Sequence, residues 1–299
     1  MSEFKQWKAK THAKDWLIFS ENIGKQLSID EVALSKGELY TIVTNKKAKG
    51  KAGSIVAIIA GTKAEQVIEH ILKIPSTKRN KVKEITLDMA NSMKLIAKKC
   101  FPKATQVTDR FHVQKLALDA LQDIRIKHRW EAIDRENQEI REARTKNETY
   151  IPQLFTNGDT LKQLLARSRY LLYKTKTDWT EKQQQRAAIL FENYPDIKKT
   201  YRICQKLRSL FNNKNISKQI AYTKLAHWFR EVEKSGFKAF NIVVNSISLN
   251  YESILNYFDN RSTNASAESF NAKIKAFRMQ FRGVRNVEFF LFRLTQIFA

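Results

Sequence analysis

Two cysteines, four prolines and eight glycines are scattered through 299 residues, and each shortage removes a class of protein. With so little Gly and Pro the chain is neither fibrous nor a disordered linker. Cys100 and Cys204 have no CxxC or Cys/His spacing around them. That argues against a structural zinc or a disulfide framework and for buried thiols in a reducing compartment. No apolar run approaches the ~20 residues that a membrane-spanning helix needs, and the N-terminal MSEFKQWKAK lacks the apolar core of a signal peptide. Acidic residues are the other shortage: 30 Asp and Glu face 54 Lys and Arg, a net charge of +24. A folded chain this basic points to a polyanion, nucleic acid first. A membrane-surface protein would gather its charge on one apolar-faced helix or a tail, whereas here it is spread along the chain. The expected setting is the cytoplasm, at the nucleoid. What is present, 42% hydrophobic and 11% aromatic residues, suffices for one large core or two smaller ones.

The pattern is organised around residues 83–115. Residues 83–87 are a short β-prone run closed by Asp88, and 92–99 an amphipathic helix stopped by Phe101-Pro102. A second β-prone run, 105–108, is closed by Asp109, and a long helix starts near His112. Ahead of this stretch, residues 7–18 read as an amphipathic helical segment. Residues 26–34, 38–44 and 54–60 then read as a three-stranded antiparallel meander, and a helix capped by Thr62 follows, ending at Ile74-Pro75. The order β-β-β-α-β-α-β-α places the strand at 83–87 parallel to the one at 26–34 through a right-handed crossover. No strand is evident from 113 to 258. Amphipathic helices are expected instead over 114–146, 159–173, 181–212 (split or kinked by Pro195), 217–234 and 237–258, with two more over 267–281 and 286–298. The expected domains are an N-terminal helical segment (1–25), an α/β core (26–115), an all-helical insertion (116–260) and helices that complete the core (261–299). Trp130, Trp179, Trp228, Tyr170 and Tyr173 fall at helical spacing and are expected in the core of the insertion.

Carboxylates at the carboxyl ends of neighbouring strands point into the crevice where α/β sheets bind ligands. Asp30, in mid-strand, and Asp88, at a strand end, would converge if their strands are adjacent and parallel. Two hard oxygen ligands there suit Mg²⁺ or Mn²⁺. A third carboxylate on a helix would complete a two-metal site. Glu268 is the candidate, because residues 261–299 hold seven Lys and Arg but only Glu268 and Glu288 as acids. Asn271 and Lys275 lie at i+3 and i+7 from it, on the same helix face. Lys275 is placed to hold a phosphate, and Arg278, Arg282 and Arg285 extend the basic surface. The bland readings are a turn or edge aspartate for Asp30 and Asp88, and a dipole-favoured first-turn acid for Glu268.

The wording LDMANSMKLIAKKCFPKATQVTDRFHVQKL (87–116), together with SxNAxAExFNxKIKxFRxxxxGxRNxEFFLFRL (262–294), resembles bacterial insertion-sequence transposases of the ISL-three type. The resemblance covers 27–116 and 262–294. It implies an RNase H-like fold interrupted by an all-α insertion, and makes Asp30, Asp88 and Glu268 the three metal ligands of a DDE transposase. The implied chemistry is hydrolysis at transposon ends followed by attack of the freed 3′-OH on target DNA, with double-stranded DNA as partner and a homo-oligomer on it. Asp109, Arg110 and His112 match the DRFHV hallmark. Asp109 is the alternative second ligand. Arg110 and His112 are taken as DNA-contacting, His112 as a hydrogen-bonding or phosphate-contacting side chain.

Full-length members of that group carry a zinc-finger and helix-turn-helix region ahead of the catalytic part, whereas about 25 residues precede the first core strand here. Either a separately encoded protein supplies end recognition, which is the first expectation, or the helical insertion and basic tail do so, or the chain is a fragment. The competing readings are an RNase H-like nuclease or resolvase that cuts without joining, and a non-catalytic DNA-binding protein derived from a transposase.

Overall fold

A computed structural model describes residues 2–35, 38–280 and 283–299. The chain divides into two compact units, 1–112 with 250–299, and 113–249.

The first unit is built on a six-stranded mixed sheet, counted among the described residues, in the order β1-β4-β3-β2-β5-β6. The strands are β1 (Trp16–Ile18), β2 (Gln26–Ser35), β3 (Glu38–Asn45), β4 (Ile55–Ala60), β5 (Glu84–Leu87) and β6 (Thr105–Thr108). β2, β3 and β4 form the antiparallel meander, and β5 joins β2 in parallel through a crossover connection. The crossover runs through α1 (Ala64–Ile71), which starts after Lys63 rather than at Thr62. A second one, through α2 (Asn91–Cys100), brings β6 parallel to β5.

Residues 7–18 depart from expectation. They hold a 3₁₀ turn (Lys8–Thr11) and then β1, an edge strand whose Trp16 pairs with Ile59 of β4. An apolar spacing read over so few residues fits a helix or a strand equally. Burial of Leu17 and the open edge of β4 decide for the strand.

The two faces of the sheet bury different partners. Leu27, Ile29, Val43, Ile85 and Leu87 pack against Val67 and Ile71 of α1 and Met93, Ile96 and Ala97 of α2. Val32, Leu34, Tyr40, Ile42 and Ile58 pack against Phe270 and Ile274 in one C-terminal helix and Phe290, Leu291 and Leu294 in the other. Asp30 alternates with Ile29 and is in step with Val32, so it belongs to the second face.

The second unit has helices and no strand among its described residues, with a non-helical stretch over 146–160. The helix α3 (Arg110–Thr145) leads into it, followed by α4 (Leu161–Arg167), α5 (Arg169–Tyr173), α6 (Glu181–Asn193), α7 (Pro195–Asn212), α8 (Lys218–Ser235) and α9 (Asn241–Leu249). Pro195 takes the first helical position of α7 and splits it from α6. Thr160 with Gln163, and Thr180 with Gln183, form capping boxes that start α4 and α6. The indole N–H groups of Trp179 and Trp228 donate to Leu171 O (2.7 Å) and Ile203 O (3.0 Å), which lets both rings be buried. Trp130 and Tyr170 are exposed, contrary to the expected core role, and Tyr173 is half-buried. The chain re-enters the first unit with α10 (Tyr251–Leu255) and α11 (Tyr257–Asn260), then α12 (Ala265–Gln280) and α13 (Val287–Phe298).

Candidate active site

Strand register aligns three aspartates. The β2–β5 ladder ends at the pair Ser28 and Thr86, and its register continued two residues beyond that pair sets Asp30, still in β2, level with Asp88, just past the end of β5. The β5–β6 ladder pairs Leu87 with Thr108, so one step on Asp88 is level with Asp109, whose N–H donates to Leu87 O at 2.9 Å. Parallel neighbours stand ~4.8 Å apart, which makes Asp88 one strand away from Asp30 and Asp109 two.

Each aspartate is held differently. Asp30 Oδ1 accepts the Glu31 N–H (2.9 Å), and its Oδ2 accepts the Asn271 side-chain amide (2.6 Å). Asp88 Oδ1 accepts the Ala90 N–H at 2.8 Å, an Asx turn that leads into α2. Asp109 is buried, and its Oδ2 has no hydrogen-bond partner among the described residues.

The helix α12 brings the fourth carboxylate. Phe270 and Ile274, four apart, anchor one stripe of it on the sheet. Asn271 sits on the adjacent stripe and reaches Asp30, while Glu268 and Lys275, on that same stripe, are exposed. The start of α12 is fixed by a buried polar cluster. Ser262 donates to Glu84, Asn260 Nδ2 donates to Glu84 Oε2 (3.2 Å), and Lys46 Nζ donates to Thr86 Oγ1 (2.8 Å) and Ser262.

The electrostatics show one shared field. Burial raises Asp30 above the usual carboxylate range. The Glu31 N–H and the charge of His112 oppose that shift, and Asp88 and Asp109 add to it. Glu268 is raised by desolvation first and then by the charge of Asp109, with His112 opposing and Asp30 adding. Glu31 is also raised, by burial and then by Asp88 and Asp30. His112 therefore stands near enough to act on Asp30 and Glu268 together. Among the described residues no three His, Cys, Asp or Glu side chains are grouped so as to hold a metal ion. The donor set nevertheless suits a hard divalent cation in kind: it offers only carboxylate oxygens, one of them buried without a partner, and repulsion that a cation would relieve.

The basic residues expected at DNA disperse. Arg110 lies over the Tyr257 ring, 5.8 Å from its centroid, and Arg278 donates to Ala33 O at 3.3 Å. Arg285 lines a separate hollow with Lys14, Asp15 and Glu38. Arg282 lies outside the described residues. The spacing alone puts Asn271 on the face of Glu268, but neither its bond to Asp30 nor the nearness of Asp109 to the other two aspartates can be read from the letters. The ladder register carries that nearness, and strand ends read from composition do not fix register.

Known proteins resemble the chain along most of its length. The transposase family model of the ISL3-type DDE group matches residues 27–294. The chain is 22% identical over 276 residues to the transposase for insertion sequence element IS1001 of Bordetella parapertussis, a match that covers 91% of this chain and 60% of that protein. No solved structure matches. With the family model matched over nearly its whole length, the chain belongs to the ISL3-type DDE transposase family.

Proposed function

We propose that the chain is a divalent-metal-dependent transposase whose first unit is an RNase H-like catalytic core, interrupted by the helical 113–249 unit. It cleaves double-stranded DNA at transposon ends and joins the freed 3′-OH to target DNA. The observation that carries this reading is the approach of Asp88, which directly follows β5, to Asp30 in the neighbouring parallel β2, near enough for its charge to act on Asp30, with the Glu268 helix tied to Asp30 through Asn271. Asp30, Asp88 and Glu268 would hold Mg²⁺ or Mn²⁺. When bound, such ions activate an attacking water or 3′-hydroxyl and stabilise the leaving oxygen. The chain's own part is to fix the carboxylates. The Glu31 N–H orients Asp30, the Ala90 N–H orients Asp88, and packing of Phe270 and Ile274 sets the height of Glu268 over the sheet. His112 and Lys275 are assigned to phosphate contacts.

Asp109 is the second candidate for the middle ligand. It is favoured by its buried, unpartnered Oδ2 and by heading the charges that act on Glu268. Cleavage and strand-transfer assays with terminal-repeat DNA and Mn²⁺ separate the readings. Asp88→Asn keeps the acceptor for the Ala90 N–H and removes only the charge. It should abolish both steps, as should Asp30→Asn. Activity that survives Asp88→Asn and disappears in Asp109→Asn would give the middle position to Asp109. Cleavage without any joining by the unaltered chain would make it a nuclease instead.

A further inference from the structure

The acids occupy the middle and the carboxyl ends of the parallel strands. At the amino ends of those same strands lies a cleft of about 1360 Å³, lined by residues from four chain segments: the 23–26 run into β2, the 45–49 loop after β3, the 80–83 run into β5 and the 260–263 loop before α12. Seven lining residues are Lys or Arg and none is Asp or Glu. Lys25, Lys47, Lys49, Lys81 and Lys83 are exposed and make no ion pair among the described residues. Lys46 lies deeper and pairs with the buried Glu84 at 3.6 Å, and that pair belongs to the cluster that pins the 260–263 loop. The cleft wall is thus braced from below, while the cations on its rim remain available.

We infer that this cleft is a binding site for the phosphate backbone of duplex DNA, separate from the carboxylate site and on the opposite end of the sheet. Exposed lysines from three segments that converge on one concavity repel each other, and an anion placed there relieves them. The cleft is far larger than one phosphate or one water needs, and its cations are spread along a path, which suits a run of phosphates. Distance gives it a place in the reaction. Five residues of extended chain from Lys25 to Asp30 span about 17 Å, close to half of the 34–36 Å turn of duplex DNA. DNA seated in the cleft would be held about half a turn from the phosphate that reacts. The NKKAKGK loop (45–51), whose composition alone fits a solvated hairpin tip as well as a DNA contact, gains a role as one wall.

The inference rests on the reading of the chain as a DNA-processing enzyme, and the experiment separates the two. The full chain, with EDTA present so that the carboxylates play no part, is titrated with a fluorescent 30-base-pair duplex at several salt concentrations. Three proteins are compared: unaltered, Lys47→Ala/Lys49→Ala/Lys81→Ala, and a control with equal charge loss, Lys98→Ala/Lys99→Ala/Lys103→Ala, exposed positions at the end of α2 and just beyond. Thermal melts check that all three fold. Every phosphate deprived of its cation should lower the slope of log K against log salt by about 0.9. The cleft variant should therefore bind at least about tenfold more weakly at low salt, with a slope smaller by roughly 2 to 3, and the control should stay within about threefold with its slope changed by less than 1. Equal weakening in both variants, or none in the cleft variant, overturns the cleft. Absence of duplex binding by the unaltered chain in EDTA overturns the cleft, and its absence in Mn²⁺ as well overturns the DNA reading itself.

Discussion

Asp30 uses both of its carboxylate oxygens inside the protein, one on the Glu31 N–H and one on Asn271. The second bond matters more, because Asn271 is one turn from Glu268 on the helix that carries the third acid. A neutral amide donor on Asp30 serves where a cation would not. Lysine there would neutralise the pair and compete with a metal, whereas the amide orients Asp30 and leaves its charge in place. Asn271→Ala should therefore act through metal binding. A hydrogen bond to a charged group contributes about 1.5–3 kcal/mol, and because Asn271 is only half-buried the loss of stability should fall near the lower figure. The diagnostic readout is the rise in melting temperature on adding Mn²⁺, which reports binding to the folded state alone. That rise should shrink in Asn271→Ala and vanish in Asp30→Asn. A full Mn²⁺ response in Asn271→Ala would leave the residue with no more than a packing role.

At the scale of elements, α12 connects fold to site, and its hold on the sheet is apolar. Phe270 and Ile274 are fully buried against Val32, Leu34 and Ile42, one stripe away from Glu268 and Asn271. Phe270→Ala removes a ring from a packed core and should cost about 3–5 kcal/mol, readable as a lower urea midpoint. Glu268→Gln, on the exposed stripe, should leave that midpoint nearly unchanged while abolishing cleavage. If both changes destabilise alike, the helix does not divide its faces between packing and chemistry. That Glu268, Asn271 and Lys275 share one face of the helix was legible beforehand from their i, i+3, i+7 spacing. The break at Pro195 was legible too, because proline lacks the N–H and has a fixed φ. The strand at Trp16–Ile18 was not. Three residues carry no period, and only the open edge of β4 makes them a strand. The exposure of Trp130 and Tyr170 was hidden for a related reason: helical spacing says which residues share a face, and tertiary packing decides which face is covered. The level placement of Asp30, Asp88 and Asp109 comes from ladder register, which local composition leaves free by a residue or two and which flips a side chain to the other face at each step.

At the scale of the molecule, the positive charge belongs to both units. Residues 113–249 hold 26 Lys and Arg against 15 Asp and Glu, and the remaining residues hold 28 against 15, so the +24 is shared almost evenly. The carboxylates of the candidate site are a local exception in a basic protein. They are too few to govern attraction to DNA, and their mutual repulsion adds to the burial that raises Asp30 and Glu268. Binding and chemistry should accordingly come apart. In EDTA the chain should still bind duplex DNA, with an affinity that falls steeply as salt rises, because counterion release from phosphates needs only the lysines and arginines. Asp30→Asn should bind as well as the unaltered chain, or slightly better through the loss of one negative charge near DNA, and should cleave nothing in Mn²⁺. Filter binding in chelator beside a cleavage assay in Mn²⁺ measures both on the same preparation. Loss of DNA binding in EDTA would mean that the metal bridges protein to phosphate. The carboxylates would then be the main attachment to DNA, and the basic surface of both units would lose its assigned part.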